Sequence, residues 1–198
     1  MEEVKGLSFP ILSGEIMEEF QNQRNIVIAE TISDDLALKV MLLLRHMDQQ
    51  SNDPIYLYIN SGGGSVTAGL TIVDNMALVK SPIYTVCYGI AASMAAVIFA
   101  SGEKGHRYMT AHSELMIHQP WSNASISGLK ETDLVGIAEE MSNTRRKLET
   151  ILSDASGKSL DEIHIACEKD NYLDPEEAIA MGLADKVIQS GKTGKVEG

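Results

Sequence analysis

The order of local patterns along the chain predicts an α/β fold. Before residue 100, strand-like and helix-like segments alternate three times, which is the signature of crossover connections between parallel strands. A strand-like run, Ile55-Tyr-Leu-Tyr-Ile59, passes directly into the glycine turn Asn60-Ser61-Gly62-Gly63-Gly64-Ser65 and then into an amphipathic stretch from Val66. The 198 residues, 44% apolar and 22% charged, suit a single domain large enough to bury a core.

The first strand falls at residues 25–29. Ser33 caps a helix predicted over 34–50, with Asp34 and Asp35 favourably placed in its first turn. Its run Val40-Met-Leu-Leu-Leu44 is apolar nearly all round, which predicts deep burial. Strand 55–59 and the glycine turn lead to a helix over 66–78. Pro82 opens a strand over 83–88, followed by Gly89-Ile-Ala-Ala-Ser93-Met94 and a helix over 93–100 that Ser101-Gly102 ends.

Two short strands are expected near 107–110 and 114–118. After Pro120 the texture changes, because Trp121-Ser-Asn-Ala-Ser-Ile-Ser-Gly128 is polar and turn-rich. Residues 129–153 then have the spacing of a long amphipathic helix, through Leu134, Ile137, Ala138, Met141, Leu148, Ile151 and Leu152. A helix over 160–167 precedes Asp170-Asn-Tyr-Leu-Asp174. The last helix is punctuated by Asp174 as cap, Pro175 at its first position and Gly182 just past its end. A strand over 186–188 runs into the tail 190–198, which is expected to be disordered.

Composition excludes several functions. A net charge of −12 and a pI of about 4.8, with no offsetting Lys/Arg cluster, disfavour nucleic acid as a partner. Two cysteines are too few for a disulfide framework, and inert, reduced thiols suggest a cytoplasmic location. Met1-Glu-Glu-Val-Lys-Gly lacks the basic start of a secretory signal, and no apolar stretch is long enough to predict a membrane span. His46, His106, His112, His118 and His164 do not converge on a zinc pattern, so no metal is expected. The P-loop lysine and the G-x-G-x-x-G spacing are both absent, so no nucleotide cofactor is expected in this chain.

Three segments place a reactive group at the edge of an apolar run. The glycine turn offers free N–H groups, Ser93 lies among small residues, and His118 ends a strand in Met116-Ile117-His118-Gln119-Pro120. These are the oxyanion donor, nucleophile and base of a serine hydrolase. Each also has a plainer reading. The turn could be a linker or phosphate loop, Ser93 a helix-packing residue, and His118 a satisfied core histidine. The nucleophile elbow G-x-S-x-G is missing, since the flanks of Ser93 are Ala91 and Ala95.

In combination, Tyr56-Leu-Tyr-Ile-Asn-Ser-Gly-Gly-Gly-Ser-Val-Thr-Ala-Gly69, Gly89-Ile-Ala-Ala-Ser-Met94 and Glu114-Leu-Met-Ile-His-Gln-Pro120 resemble the Clp protease proteolytic subunit family. Asp170-Asn-Tyr-Leu-Asp-Pro-Glu-Glu-Ala178 and Gly182-Leu-Ala-Asp-Lys-Val187 extend the resemblance, which spans about residues 14–188. It implies an α/β, ClpP/crotonase-like fold with repeated β-β-α units. Residues 21–189 would form the protease domain, with a handle helix at about 129–153, and residues 1–20 an atypical N-terminal pore segment.

The resemblance places Ser93 on the nucleophile, His118 on the general base and Asp170 on the third triad member. Gly64 and Met94 fall on the oxyanion-hole donors. Gly63, Ser65 and Val66 fall on the edge that receives extended peptide, and Trp121 on a segment that flanks it. Asp174 is better explained as a cap than as the triad acid. The implied assembly is two stacked seven-membered rings enclosing a chamber. A hexameric AAA+ unfoldase would consume the ATP, thread unfolded polypeptides inward, and dock near Tyr56 and Tyr58.

This sequence departs from the family pattern at Gly62, where proline is usual, in the longer loop after Pro120, and in the short N-terminus. Two rival readings are a non-catalytic structural subunit of a mixed ring and a crotonase-like acyl-CoA enzyme.

Overall fold

The computed structural model describes residues 14–121 and 130–188. In chain order the elements are α1 (Gly14–Asn22), β1 (Asn25–Ile28), α2 (Asp34–Gln50), β2 (Ile55–Ser61), α3 (Val66–Leu78), β3 (Ile83–Ala92) and α4 (Met94–Ala100). There follow β4 (Arg107–Thr110), β5 (Glu114–Ile117), α5 (Glu131–Ser156), α6 (Leu160–Ala166), β6 (Asn171–Leu173), α7 (Pro175–Ala180) and β7 (Lys186–Ile188). The expected tail 190–198 lies outside the described residues, as do 1–13 and the loop 122–129, including the expected helix start at Leu129.

Strands β1-β2-β3-β4-β7 form a parallel sheet. β3 is long enough to serve two neighbours in turn. Thr85, Val86 and Cys87 pair with β4, whereas Ile90, Ala91 and Ala92 pair with β5. The three-residue β6 then adds to β5 in the antiparallel sense. This fork at the carboxyl end of β3 creates the corner where the site lies.

Alternation along β2 explains the two faces of the sheet. Ile55, Leu57 and Ile59 are buried, while Tyr56 and Tyr58 face the other way and are only half-buried. The apolar face is covered by α2, α3 and α4, and α4 is buried at every residue. Gly69 in α3 is needed here, because a Cβ would collide with the Met94 side chain.

Two expectations require correction. The predicted all-round burial of α2 does not occur: Leu36, Ala37, Val40, Leu44 and Met47 form one buried stripe, while Leu38 and Leu42 stay 51% and 57% exposed. Leu38 and Leu42, four residues apart, fall on a second stripe of the helix, offset from the buried one. The boundary expected between residues 20 and 21 runs through α1, whose Phe20 ring lies 5.4 Å from that of Tyr58.

Helix α5 runs three residues past its expected end, to Ser156, and is stopped by Gly157 in the left-handed conformation. Arg107 ties this end down, giving Nη1 to the Ala155 carbonyl at 3.0 Å and two bonds to the Asp185 carboxylate at 2.7 and 2.8 Å. Among the described residues no buried polar side-chain atom lacks a partner, and no helix is long and apolar enough to cross a membrane.

Candidate active site

Ser93 joins β3 to α4 with φ of 55° and ψ of −124°, a positive-φ conformation outside the left-handed helical region that costs a non-glycine residue roughly 1–3 kcal/mol. Its backbone is held on both sides. The N–H donates to the Met116 carbonyl at 2.8 Å, and the carbonyl accepts from Ala96 and Val97 at 3.0 and 3.3 Å. Although Ser93 occupies the cap position of α4, its hydroxyl makes no cap bond. That hydroxyl lies 2.8 Å from His118 Nε2.

Strand pairing explains the convergence. Ala92 is opposite Met116 in the parallel ladder, so the chain leaving β3 meets the chain leaving β5. Ile117 is opposite Asn171 in the antiparallel ladder, so the next residues outward are His118 and Asp170. His118 Nδ1 is 2.9 Å from Asp170 Oδ1. An ionised Asp170 accepts from Nδ1–H, leaving the Nε2 lone pair to accept the Ser93 hydroxyl proton. The His118 side chain is 13% exposed and that of Asp170 63%, so the outer link of the chain is open to water in the single subunit. Asp174 makes no such approach: it caps α7 in a capping box with Glu177.

The glycine turn lies against the same corner. Gly63 and Gly64 have φ of 94° and 152°. A Cβ on Gly63 would stand 2.8 Å from Ser93 Cβ and 3.1 Å from Met94 N, so any side chain would crowd the space in front of the serine. A Cβ on Gly64 would strike the backbone of Ile32. The Gly63 carbonyl and the Ser65 N–H both pair with Ile32, at 2.9 and 2.8 Å. Among the described residues the N–H groups of Gly64 and Met94 have no such partner; Met94 directly follows the serine, and Gly64 follows the Gly63 that lies against it.

The other expected substrate residues are placed unevenly. Val66 lines a narrow cleft of about 30 Å³ whose wall also contains Ser93 and His118. Ser65, by contrast, has its N–H committed to Ile32 and its hydroxyl accepting from Ala68 N, so it organises the turn and caps α3. Trp121 is 68% exposed and, unlike the preceding Gln119 and Pro120, does not line the cleft.

The cleft is largely apolar, walled by Val66, Met94, Val97, Ile117, Leu148 and Leu152. Cys167 also lines it, and burial pushes this thiol up to about 11, as it does for Cys87. Both are therefore protonated at neutral pH and poor nucleophiles. The sequence reading missed the polar members of the wall: Gln119, Arg145 and Glu149. The available signal was a four-residue spacing that sets Arg145 over Glu149 on one face of α5.

A hydroxyl within hydrogen-bond distance of an imidazole–carboxylate pair, in an α/β fold, is an arrangement able to serve acyl transfer of the hydrolase class. The chain belongs to the Clp protease family, whose model matches residues 12–191. It is 40% identical over 181 residues to the ATP-dependent Clp protease proteolytic subunit of Streptococcus mutans, covering 91% of this chain and 92% of that one. The protein of the same name from Streptococcus gordonii is 41% identical over 177 residues, with 89% and 90% covered. That from Lactococcus lactis subsp. cremoris is 39% identical over 177 residues, with 89% and 88% covered.

Proposed function

We propose that this chain is the peptidase subunit of an ATP-dependent protease and that it works as a serine endopeptidase. The observation that carries this reading is the continuous chain from Ser93 Oγ through His118 to Asp170, at 2.8 and 2.9 Å. His118 Nε2 takes the hydroxyl proton as Ser93 attacks the peptide carbonyl, and returns it to the leaving amine. Asp170 holds the imidazole tautomer and stabilises the imidazolium. The N–H groups of Gly64 and Met94 stabilise the oxyanion, and water then releases the acyl group by the reverse proton path.

An extended peptide is the substrate that suits the site. With one edge of the turn spent on Ile32, the Gly64 edge is left for an added strand. Unfolded polypeptide would reach it inside a chamber of two seven-membered rings, fed by a partner ATPase that supplies the ATP chemistry. The relatives' names support that partnership, and the protease chemistry itself needs no cofactor. A cytoplasmic location accords with two free, unreactive thiols.

The intact triad disfavours a non-catalytic subunit. An acyl-CoA enzyme of crotonase type would use the N–H pair but has no need of an activated serine. A fluorophosphonate probe separates the serine peptidase from both rivals. It should label wild-type protein at Ser93 and leave Ser93→Ala unlabelled; an unlabelled wild type would overturn the serine mechanism.

A further inference from the structure

His118 and Asp170 meet one rung beyond the last pair of the antiparallel ladder, where Ile117 is opposite Asn171. β6 has only three residues, and the end of so short a strand frays without further support. That support comes from Gln119. Its N–H donates to the Cys167 carbonyl at 2.7 Å, and its side-chain Nε2 donates to the Glu168 carbonyl at 2.8 Å. The base is thus held between Ile117 and Gln119, and the acid between Glu168 and Asn171. Arg145 adds a third bond, from Nη1 to Gln119 Oε1 at 3.0 Å. A guanidinium has no acceptor, so the amide oxygen must face Arg145 and the amide nitrogen the Glu168 carbonyl.

We infer that Gln119 is a positioning residue for the triad: its side chain clamps the strand that carries His118 to the segment that leads into Asp170, and so keeps base and acid in register. The inference rests on the serine-peptidase reading. The Asp170 side chain is 63% exposed, so water competes for the carboxylate that orients the imidazole, and the net strength of that one bond is modest. Alignment then depends on the backbone to either side. Misplacing reacting groups by 1 Å costs up to about 100-fold in rate, so a small slip at this rung is felt in turnover.

Two substitutions in the full assembled chain separate the clamp from the bond with α5. Gln119→Met removes both side-chain bonds at similar volume. Gln119→Glu keeps an acceptor for Arg145, now charge-assisted, but sets a carboxylate oxygen against the Glu168 carbonyl. With a fluorogenic peptide, kcat should fall roughly tenfold in Gln119→Met and at least as far in Gln119→Glu, while KM changes less than about twofold. A residue that only braced α5 would give the reverse order, since Gln119→Glu retains the Arg145 bond. Gln119→Met is then combined with Asp170→Asn, and the rate of fluorophosphonate labelling at Ser93 is measured. With the acid gone there is no pair left to align, so the loss should shrink from roughly tenfold to less than about twofold.

Equal fractional losses with and without Asp170, a full kcat in both Gln119 variants, or a loss confined to KM would overturn the inference. Should one variant fail to assemble, the other decides. An Asp170→Asn protein of full activity would overturn it as well, because no acid–base pair would need alignment. An unlabelled, inactive wild type would take down the serine reading, whereas a labelled wild type beside Gln119 variants of full rate would take down this inference alone.

Discussion

The two ends of α5 obey one periodicity under opposite conditions. At the carboxyl end Leu148, Glu149 and Leu152 are buried, and the Ala155 carbonyl is bonded by Arg107. Over residues 131–147 no side chain is buried, Ile137 and Met141 are half-covered, and Leu134 and Val135 are 40% and 51% exposed. The helix has 26 residues, about 39 Å at 1.5 Å per residue, and only its last third belongs to the subunit core. A helix of that uncovered length is marginal in water without packing. The same apolar spacing therefore means core at one end and, in our proposal, contact with a second ring at the other.

The sharpest way to separate these regions is to remove chemistry without touching either. Ser93→Ala should abolish hydrolysis of a fluorogenic peptide while leaving the melting temperature and sedimentation coefficient unchanged. Residual cleavage at the wild-type rate would remove Ser93 from the mechanism.

Next in size is the acid of the triad. Asp170→Asn should lower kcat steeply, by as much as ~10⁴-fold, because the wrong histidine tautomer is stabilised. Asp174→Asn should change kcat little, since Asn caps helices about as well as Asp. Equal losses from the two substitutions would mean that the exposed Asp170–His118 link is not the functional one.

The ends of α5 should respond differently to damage. Ile137→Glu places an unpaired charge in the proposed ring contact, at a cost of several kcal/mol, and should reduce double rings to smaller species by sedimentation velocity. Leu152→Ala opens a cavity in the subunit core and should cost about 2–5 kcal/mol, read as a lower melting temperature. If Ile137→Glu leaves the large particle intact, the uncovered end of the helix is not an assembly surface.

The smallest effect expected is one of pH. Burial would raise the Asp185 carboxyl, but its side-chain and backbone bonds with Arg107 outweigh this and hold it below its ordinary value. A carboxylate depressed in the folded state contributes stability above its unfolded pKa, near 4, that is lost as pH falls through the folded value. Asp185→Asn should therefore destabilise the chain at pH 7 and narrow its difference from wild type in strong acid. A difference in melting temperature independent of pH would contradict this.

Much of this behaviour was legible in local patterns. The alternation of strand and helix, the Ser33 cap, and the Asp174-Pro175 start of α7 each rest on neighbours within a few residues, where propensity and capping decide. Ser93, His118 and the glycine turn could be picked out because reactive residues stood at the edges of apolar runs. Asp170 came from the family resemblance. Its partnership with His118 depends on β6, a three-residue strand too short to show a period of two.

What the sequence by itself determined was the order of elements, their punctuation and the residue types available for acyl chemistry. The tertiary structure decided which of those residues meet. β3 changes partners along its length, β6 adds to β5 in antiparallel register, and these two pairings set Ser93, His118 and Asp170 in line. It also decided that Leu42 of α2 stays exposed while Glu149 of α5 is buried beside the cleft, against the expectation from each residue's own polarity. Local patterns report the interactions of a residue with its chain neighbours. Burial and alignment arise from pairing across separations such as the 52 residues between His118 and Asp170, which no local pattern encodes.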